Sequence, residues 1–492
     1  MFRNVVTLKQ GLKTFSRLSQ KRQSVKFAKP TSLVSTITRK ININNPFSPI
    51  RQFSQAFKRS ITTTTTTATT GSTTAPVKKV LINSNKYVGY WLVGTSGLVF
   101  GIVILGGLTR LTESGLSITE WKPVTGAIPP LNQKQWEEEF TKYKESPEFK
   151  QLNSHIDLDE FKFIFFMEWG HRLWGRGIGL IFILPAIYFT ATRKTSSHVN
   201  RRLLGLCGLL GLQGFVGWWM VKSGLDQQQL DERKSKPTVS QYRLTAHLGA
   251  AFILYMGMLW TGWEIIRESK WVKNPENALQ LFKQLDNPAL KPLRKMALGM
   301  VVLTFITAMT GGMVAGLDAG LMYNTFPRMG DDWLPSNREL LDPFYARKED
   351  KSDLFWRNIL ENPTTVQLNH RIFAITTFFA VFGFHMYASR NKHIIPRHIN
   401  RSIHLMMGIV TLQFALGIST LVYMVPISLA SAHQAGALAL LTISLLCASQ
   451  LRQPRIPMRL LIGNLYKKQI LEQQQQLARG SKILNEVSKL AK

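Results

Sequence analysis

The sequence predicts an all-α polytopic membrane protein in which eight transmembrane helices form two tandem, parallel four-helix bundles. Three observations lead to this prediction: long apolar segments, an alternation of basic and acidic loops, and short motifs that recur about 200 residues apart. The 492 residues are 45% hydrophobic and only 18% charged, and the mean hydropathy of −0.02 averages apolar segments with strongly polar ones.

The first 80 residues are typical of a mitochondrial transit peptide followed by a flexible tether. Residues 1–60 contain 13 Lys and Arg, many Ser and Thr and no acidic residue, and they lack the continuous apolar stretch of a secretory signal. Arg51-Gln52-Phe53-Ser54 resembles a matrix-peptidase cleavage site, and the threonines from Thr62 to Thr67 follow it. The alternative is a disordered basic tail with no targeting role.

The net charge of +32 is explained by the position of the charges rather than by nucleic-acid binding. No Asp or Glu precedes Glu113, and most other basic residues lie on short loops between apolar segments. The two cysteines, Cys207 and Cys447, lie within apolar segments, which excludes a disulfide framework and a thiolate metal cluster.

Eight windows are long and apolar enough to cross a bilayer, which takes about 20 residues. In chain order they are Val88 to Leu108, Phe163 to Thr192, Leu203 to Val221, Leu244 to Trp263, Met296 to Leu317, Val366 to Ala388, Ser402 to Met424, and Ser428 to Leu451.

The loop charges predict the orientation of these windows. The loops after the second and sixth windows are basic and contain no acid, and the segment after Leu451 has nine Lys and Arg against two Glu. Residues 108–162 are instead acidic, with ten Asp and Glu against seven Lys and Arg. By the positive-inside rule both termini face the mitochondrial matrix, and the even-numbered helices begin at the intermembrane-space side.

Matching motifs divide the chain into two halves. A Gly-Gly pair, a His-Arg pair, a Leu-Gln pair and an Ala-His pair each recur, at offsets of 205, 199, 200 and 186 residues. Because each half has four spans, both copies point the same way, unlike inverted repeats. The predicted parts are a first bundle over 86–267, a matrix-side linker over 268–295, a second bundle over 296–451 and a matrix-side basic tail over 452–492.

Four of the ten histidines occupy matching places in the repeat: His171, His247, His370 and His433. Each is expected within about two turns of the start of an even-numbered helix. Two neutral imidazoles from facing helices can supply both axial ligands of a haem iron, while the apolar bundle covers the porphyrin. A helix-to-helix hydrogen bond is the ordinary role of a lone histidine here, but four in register favour haem. A closed zinc site would need four converging ligands, and these belong to two separate bundles.

One difference between the halves bears on chemistry. Glu168 lies three residues before His171, whereas Gln367 occupies the same place before His370. The carboxylate indicates proton-coupled chemistry in the first half and an electron-relay haem in the second. The alternative is that Glu168 only pairs with Arg172 or Arg176.

Other matched residues have weaker interpretations. Arg172 and Arg371 are candidate partners of haem propionates, or anchors at the lipid headgroups. The glycine pairs are expected to allow close helix packing, and the glutamines at 213 and 413 have no assigned chemistry. The six remaining histidines are interpreted as non-ligands. The amphipathic stretch from Gln135 to Phe149 is expected to lie on the membrane surface, as a lid or as an anchor.

With these residues in view, the chain resembles the haem A synthase family over about residues 86–451. The resemblance is carried by the segment from Gly106 to Arg110 and onward to Trp121-Lys122-Pro123, by the Glu168-x-x-His171-Arg172 motif, and by the three other matched histidines. Some bacterial members have a cysteine pair in the first outer loop, which this chain lacks, so a redox role for such a pair is absent.

The resemblance implies oxidation of the C8 methyl of haem O to a formyl in two successive steps, giving haem A for cytochrome c oxidase. It implies that His171 and His247 hold the substrate haem, that His370 and His433 hold a haem b cofactor, and that Glu168 is catalytically important. It further implies a matrix ferredoxin as electron donor, and haem O synthase and cytochrome c oxidase assembly factors as partners.

Two other functions also fit the sequence. A two-haem b-type electron-transfer cytochrome explains the histidines equally well, although it does not explain the Glu168 and Gln367 difference. A carrier or assembly scaffold would use the histidines only for packing. The oligomeric state is left open, with a homo-oligomer as one option.

Overall fold

A computed structural model describes residues 82–122, 125–233 and 235–490 of the chain. In these ranges the regular structure is helical, apart from one isolated bridge between Met329 and Asp332. Eight helices are long and apolar enough to cross a membrane, so the predicted all-α polytopic fold is confirmed. The predicted transit peptide and Pro123 lie outside the described residues.

The eight spanning helices are numbered here in chain order. They are α1 (Lys86–Leu111), α2 (Leu158–Ala191), α3 (Ser197–Leu225), α4 (Gln241–Lys273), α5 (Lys291–Gly316), α6 (Pro363–Arg390), α7 (Arg397–Val422) and α8 (Ile427–Leu451). The shorter α-helices are Gln133–Lys144, Pro147–Gln151, Gln227–Arg233, Pro275–Leu285, Asn337–Leu340, Leu354–Glu361 and Ile456–Leu490. Single 3₁₀ turns cover Thr125–Ala127, Pro288–Leu290, Ala319–Leu321 and Pro343–Tyr345.

Polar caps explain where several spanning helices begin. The side chain of Asp157 accepts hydrogen bonds from the first turn of α2, and Glu160 returns a bond to the Asp157 backbone, which completes a capping box. Asn362 caps α6 by accepting from the backbone of Thr364, and a proline follows at the first helical position.

Each half is a ring of four helices. In the first half α1 packs against α2 and α4, and α3 packs against α2 and α4; in the second half α5, α6, α7 and α8 repeat this pattern. Consequently α2 and α4 lie at opposite corners of one ring, and α6 and α8 at opposite corners of the other. This arrangement is consistent with the predicted tandem bundles.

The two rings meet through α1 and α4 on one side and α5 and α8 on the other. In the most apolar stretch of α8, 56% of the residues are buried by other parts of the protein, against 6% in that of α3. Helix α3 therefore faces outward toward lipid. At the end where α1 and α5 finish and the even-numbered helices begin, called the histidine end below, Asp318 forms ion pairs with Arg110 and Lys236. These pairs also join the two halves.

At the opposite end, buried charges hold the C-terminal segment against α4. Glu264 pairs with Arg202 and Arg452, and Glu268 pairs with Arg455. Removing one partner of such a buried pair leaves an uncompensated charge and costs about 3–5 kcal/mol. The helix Ile456–Leu490 begins next to this network and also packs against the helix Pro275–Leu285.

Three helices extend well beyond their predicted windows. Helix α2 begins at Leu158 rather than Phe163, and α4 continues to Lys273 rather than ending at Trp263. Helix α3 covers Ser197–Leu225, six residues before and four residues beyond its window. Hydropathy missed these extensions because their charged residues are satisfied by caps and ion pairs. Residues 268–273, assigned to the linker from the sequence, therefore continue α4.

The amphipathic outer stretch does not lie with its apolar face on the membrane. The helix Gln133–Lys144 directs Trp136, Phe140 and Tyr143 against Phe161 and Phe165 of α2. The membrane-surface expectation is wrong because the long N-terminal extension of α2 supplies the apolar partner instead.

Candidate functional site

The four matched histidines lie near the histidine end, on helices at opposite corners of each ring. His247, His370 and His433 lie six or seven residues after the first residue of their helices, as expected. His171 lies thirteen residues into α2, so the two-turn expectation is wrong for it. The reason is the capped extension from Leu158, which adds turns before the apolar part of the helix.

Each of the four imidazoles rests on a glycine of the preceding helix. An added Cβ would meet the ring carbon Cε1 at 2.8–3.1 Å, too close for real side chains. The pairs are His171 with Gly106, His247 with Gly217, His370 with Gly311, and His433 with Gly417. We call each of these glycines the seat of its histidine. Gly106 and Gly311 each lie five residues before the end of their helix, so these two seats lie at equivalent depth.

The pair in the second half has the geometry of two ligands on one metal. The ring centroids of His370 and His433 are 6.4 Å apart, and the ring planes are at 85°. A metal-to-imidazole bond is about 2 Å and a ring centroid lies about 1.2 Å behind its nitrogen, so opposed ligands place their centroids roughly 6.3 Å apart. The observed separation therefore fits axial ligation of one iron.

A threonine orients His370 for this role. The hydroxyl of Thr310 donates its single proton to the Thr307 carbonyl at 2.7 Å, and the same oxygen lies 2.9 Å from Nδ1 of His370. Since the hydroxyl has no second proton, Nδ1 of His370 is the donor of that bond. The lone pair then lies on Nε2, which is the tautomer that a metal requires.

The pair in the first half lacks such an orienting partner. Nδ1 of His171 and Nδ1 of His247 are buried without a hydrogen bond to any described residue, and the same holds for Nδ1 of His433 in the second half. Both side chains remain partly accessible, and Cε1 of each lies on its glycine seat. The two histidines are near enough to interact electrostatically.

Matched glutamines hold the backbone at two of the histidines. Nε2 of Gln213 donates to the carbonyl of His247 at 3.1 Å, and Nε2 of Gln413 donates to the carbonyl of His433 at 2.9 Å. The sequence showed these glutamines as a repeat without indicating a role. Each glutamine lies one helical turn before the glycine that contacts the same histidine, Gly217 or Gly417, and this spacing was the sequence feature that could have indicated the role.

Glu168 is buried and bonded to the loop that follows α1. Its Oε2 accepts from the Ser117 hydroxyl at 2.7 Å and from the Ile118 backbone at 2.8 Å, and its Oε1 pairs with Arg172 at 2.6 Å. Arg172 also donates to the Ile118 carbonyl. The structure thus contains the predicted Arg172 pairing, together with loop contacts that the sequence did not reveal.

Gln367 and Arg371 repeat this arrangement with an uncharged partner. Arg371 donates to Oε1 of Gln367 at 3.1 Å and to the Tyr323 carbonyl at 2.9 Å, while Gln367 donates to the Ala319 carbonyl at 2.8 Å. Both arginines thus hold loop carbonyls, and their role toward haem propionates stays a prediction.

The remaining histidines have other surroundings. His385 and His404 form a hydrogen bond with each other at 2.7 Å, and His198 pairs with Glu264. Among the described residues, no three His, Cys, Asp or Glu side chains converge on a point that could hold a metal ion. A closed zinc site of that kind is therefore absent from the described part of the chain.

The fold and the site define a polytopic helical membrane protein with one imidazole pair in each of two similar halves. The glycine seats, the oriented ring of His370 and the centroid separation all fit a haem held by His370 and His433. Residues 89–445 match the cytochrome oxidase assembly protein family. The chain belongs to this family, so the family resemblance predicted from the sequence is confirmed.

Several relatives carry the name haem A synthase. The protein of that name from Saccharomyces cerevisiae is 61% identical over 100% of this chain and 99% of its own length. The one from Homo sapiens is 43% identical over 76% of this chain and 84% of its own length. A haem A synthase–mitochondrial ferredoxin fusion protein of Schizosaccharomyces pombe is 51% identical over 75% of this chain and 60% of its own length.

Proposed function

We propose that this chain is an enzyme of the mitochondrial inner membrane, a haem A synthase that oxidises the C8 methyl of haem O to a formyl group in two successive steps. The observation that carries the proposal is the repeated imidazole pair, with a buried carboxylate beside only one of the two pairs. The full-length similarity to the Saccharomyces cerevisiae haem A synthase supports the same activity.

The second half is the permanent cofactor site in this proposal. His370 and His433 would hold haem b, which supplies one-electron chemistry when bound. Two features support this assignment: the 6.4 Å separation of the ring centroids and the Thr310 bond that fixes the His370 ring. A preorganised site of this kind suits a group that does not leave.

The first half is the substrate site. His171 and His247 would hold haem O, and neither ring is held by a hydrogen bond at Nδ1 from a described residue. In the second half the Nδ1 of His433 is unbonded as well, but the Thr310 bond holds the ring of His370. A pair in which neither ring is held suits a haem that must enter and leave after each reaction. The fixed carboxylate of Glu168, one helical turn before His171, is also found only in this half.

Glu168 has two tasks in this proposal. By accepting from Ser117 and Ile118 it holds the loop after α1 over the site. Its negative charge, already fixed by these bonds, stabilises positive charge that develops at the edge of the substrate during oxidation. Because the carboxylate is oriented in advance, it needs no rearrangement when the reaction occurs.

The proposed electron donor is a matrix ferredoxin. This is supported by the Schizosaccharomyces pombe relative, in which the two are named as one fusion protein. Haem O synthase and oxidase assembly factors are further proposed partners. The basic loops favour a matrix location for both termini, which is the side where a ferredoxin would dock.

Glu168→Gln tests the chemistry separately from the fold. The substitution keeps the size of the side chain and one oxygen that can accept from Ser117 and Ile118, and it removes the charge. We expect normal expression, retained haem b and a fall in haem A formation of about 10²–10⁴-fold, the range for loss of a catalytic carboxylate. The measurement is haem A output from purified protein supplied with haem O and reductant.

The matched control is Glu138→Gln, the same change at an exposed position of the outer helix Gln133–Lys144, which should leave haem A formation near normal. Unchanged output from Glu168→Gln would refute the role of the carboxylate. If the wild-type chain binds two unreactive haems b and converts no haem O, the protein is instead an electron-transfer cytochrome.

A further inference from the structure

The side chain of Gln434, on α8 of the second half, forms a hydrogen bond with α1 of the first half. Gln434 follows His433 directly on α8, and its Nε2 donates to the Val103 carbonyl of α1 at 2.8 Å. Gly107 makes room for it, because a Cβ added there would lie 1.6 Å from Oε1 of Gln434. Any larger residue at position 107 would therefore displace this side chain.

The bond reaches α1 next to the seat of His171. In an α-helix the carbonyl of Val103 also accepts from the backbone of Gly107, four residues on. The neighbouring Gly106 contacts the His171 ring, with its ideal Cβ position 2.9 Å from Cε1. His433 is therefore connected to His171 by one side chain, one interhelical hydrogen bond, one helical turn and one van der Waals contact.

The mirrored contact between the halves lacks this polar connection. Gly312 of α5 meets Leu248, the residue that follows His247, at 3.2 Å from its ideal Cβ position. Leucine fills the space but has no hydrogen-bonding group. Of the two mirrored contacts, only the one from α8 to α1 contains a side-chain bond to a backbone carbonyl.

We propose that Gln434 is a positioning residue that couples the two sites, fixing α8 against α1 and forming the bonded route by which electrons pass from the second site to the first. This inference rests on the proposed function, in which His433 holds a permanent haem and His171 the substrate haem. A haem held by His370 and His433 would supply one electron, and a haem held by His171 and His247 would take it up, with no bond broken. Gln434 itself would only hold α8 and α1 in a fixed relation during this transfer.

The test is Gln434→Leu, which copies the residue of the mirrored contact and keeps a similar volume. The full chain, purified with both haems, is reduced by a light pulse in the presence of a substoichiometric deazaflavin. The two haems are then followed at wavelengths that distinguish them. We expect unchanged reduction of the second-site haem and transfer to the first site slowed about tenfold, which corresponds to about 1.4 kcal/mol in activation free energy.

The matched control is Leu248→Ala, which loosens the mirrored contact and should leave the transfer rate unchanged. Paramagnetic resonance of each haem should be the same in both variants and the wild type, which shows that axial ligation is intact. A merely structural role for Gln434 would lower stability without this selective slowing.

Two haems with normal spectra and an unaltered transfer rate in Gln434→Leu would overturn the inference and leave the proposed function standing. A wild-type chain without a second haem would overturn both. If Gln434→Leu does not fold, Gly107→Ala combined with Gln434→Ala replaces it, since the smaller side chain removes the clash. Slow transfer in that double variant supports the inference, and normal transfer contradicts it.

Discussion

Glycine seats decide how the four imidazoles are placed. A ring whose Cε1 lies against a glycine backbone has that edge fixed, because the ring cannot turn without moving away from the helix. The sequence revealed the glycines at positions 106 and 311 as part of a repeat, and those at 217 and 417 likewise. It did not reveal their partners, because each seat and its histidine lie on different helices.

Gly417→Ala should disturb the second site specifically. The new methyl group would lie 2.8 Å from Cε1 of His433, and such overpacking costs about 1–3 kcal/mol while pushing the ring away from the metal. We expect a lower melting temperature and partial loss of haem b, measured by thermal unfolding and by pigment content in detergent.

Gly408→Ala is the matched control on the same helix. An added Cβ at position 408 meets no atom within 4 Å, so haem content and stability should stay near those of the wild type. Equal behaviour of the two alanine variants would contradict the role of Gly417 as a seat.

The contacts of Glu168 were predictable from the sequence only in part. Spacing placed the carboxylate near His171 on one helix, and the structure agrees with that. The bonds to Ser117 and Ile118 come from a loop some 50 residues away in the chain, whose path no local pattern specifies. The comparison of Glu168 with Gln367 was nevertheless available from the repeat alone.

At the scale of the helices, hydropathy located every span because a bilayer requires long apolar segments. It failed at the start of α2, where exposed acids form a cap, and at the ends of α3 and α4, where buried Glu264 and Glu268 pair with arginines from distant segments. It also misplaced the outer helix Gln133–Lys144, since the apolar face of an amphipathic helix packs equally well on lipid or on protein.

The outer helices enclose a buried acid that the sequence did not single out. Glu148 is only 4% exposed and accepts a hydrogen bond from the Tyr143 hydroxyl at 2.9 Å. Burial, reinforced by the nearby charges of Glu168 and Glu113, raises the pKa of Glu148 to about 8, although the Tyr143 bond and Arg110 oppose this. Glu148 is therefore protonated at neutral pH.

The stability of the outer helices should consequently depend on pH. The folded state holds a proton on Glu148 that the unfolded chain releases near pH 4.5, so stability falls as the pH rises from there to about 8. Glu148→Gln should weaken this dependence. The measurement is thermal unfolding across that pH range.

Glu138→Gln, an exposed position on the neighbouring outer helix, is the control and should leave the pH profile as it is. A profile unchanged by Glu148→Gln would contradict the assignment of a protonated carboxyl at position 148.

For the whole molecule, the repeat predicted two similar halves but not how they meet. Hydropathy records that a helix is apolar and not which neighbour covers it, so the central position of α8 was not predictable. Contacts between halves depend on single residues such as Gln434 and on pairs such as Arg110 with Asp318. These residues are far apart in the chain and follow no periodic pattern.

The central claim is that each half holds one iron porphyrin through two imidazoles. Pigment extraction with mass analysis, applied to the full chain and to its His433→Ala variant, tests this most directly. We predict haem b together with haem O or haem A in the wild type, and selective loss of haem b in the variant. His385→Ala, outside both sites, should match the wild type. Haem b retained in full by His433→Ala would contradict the account.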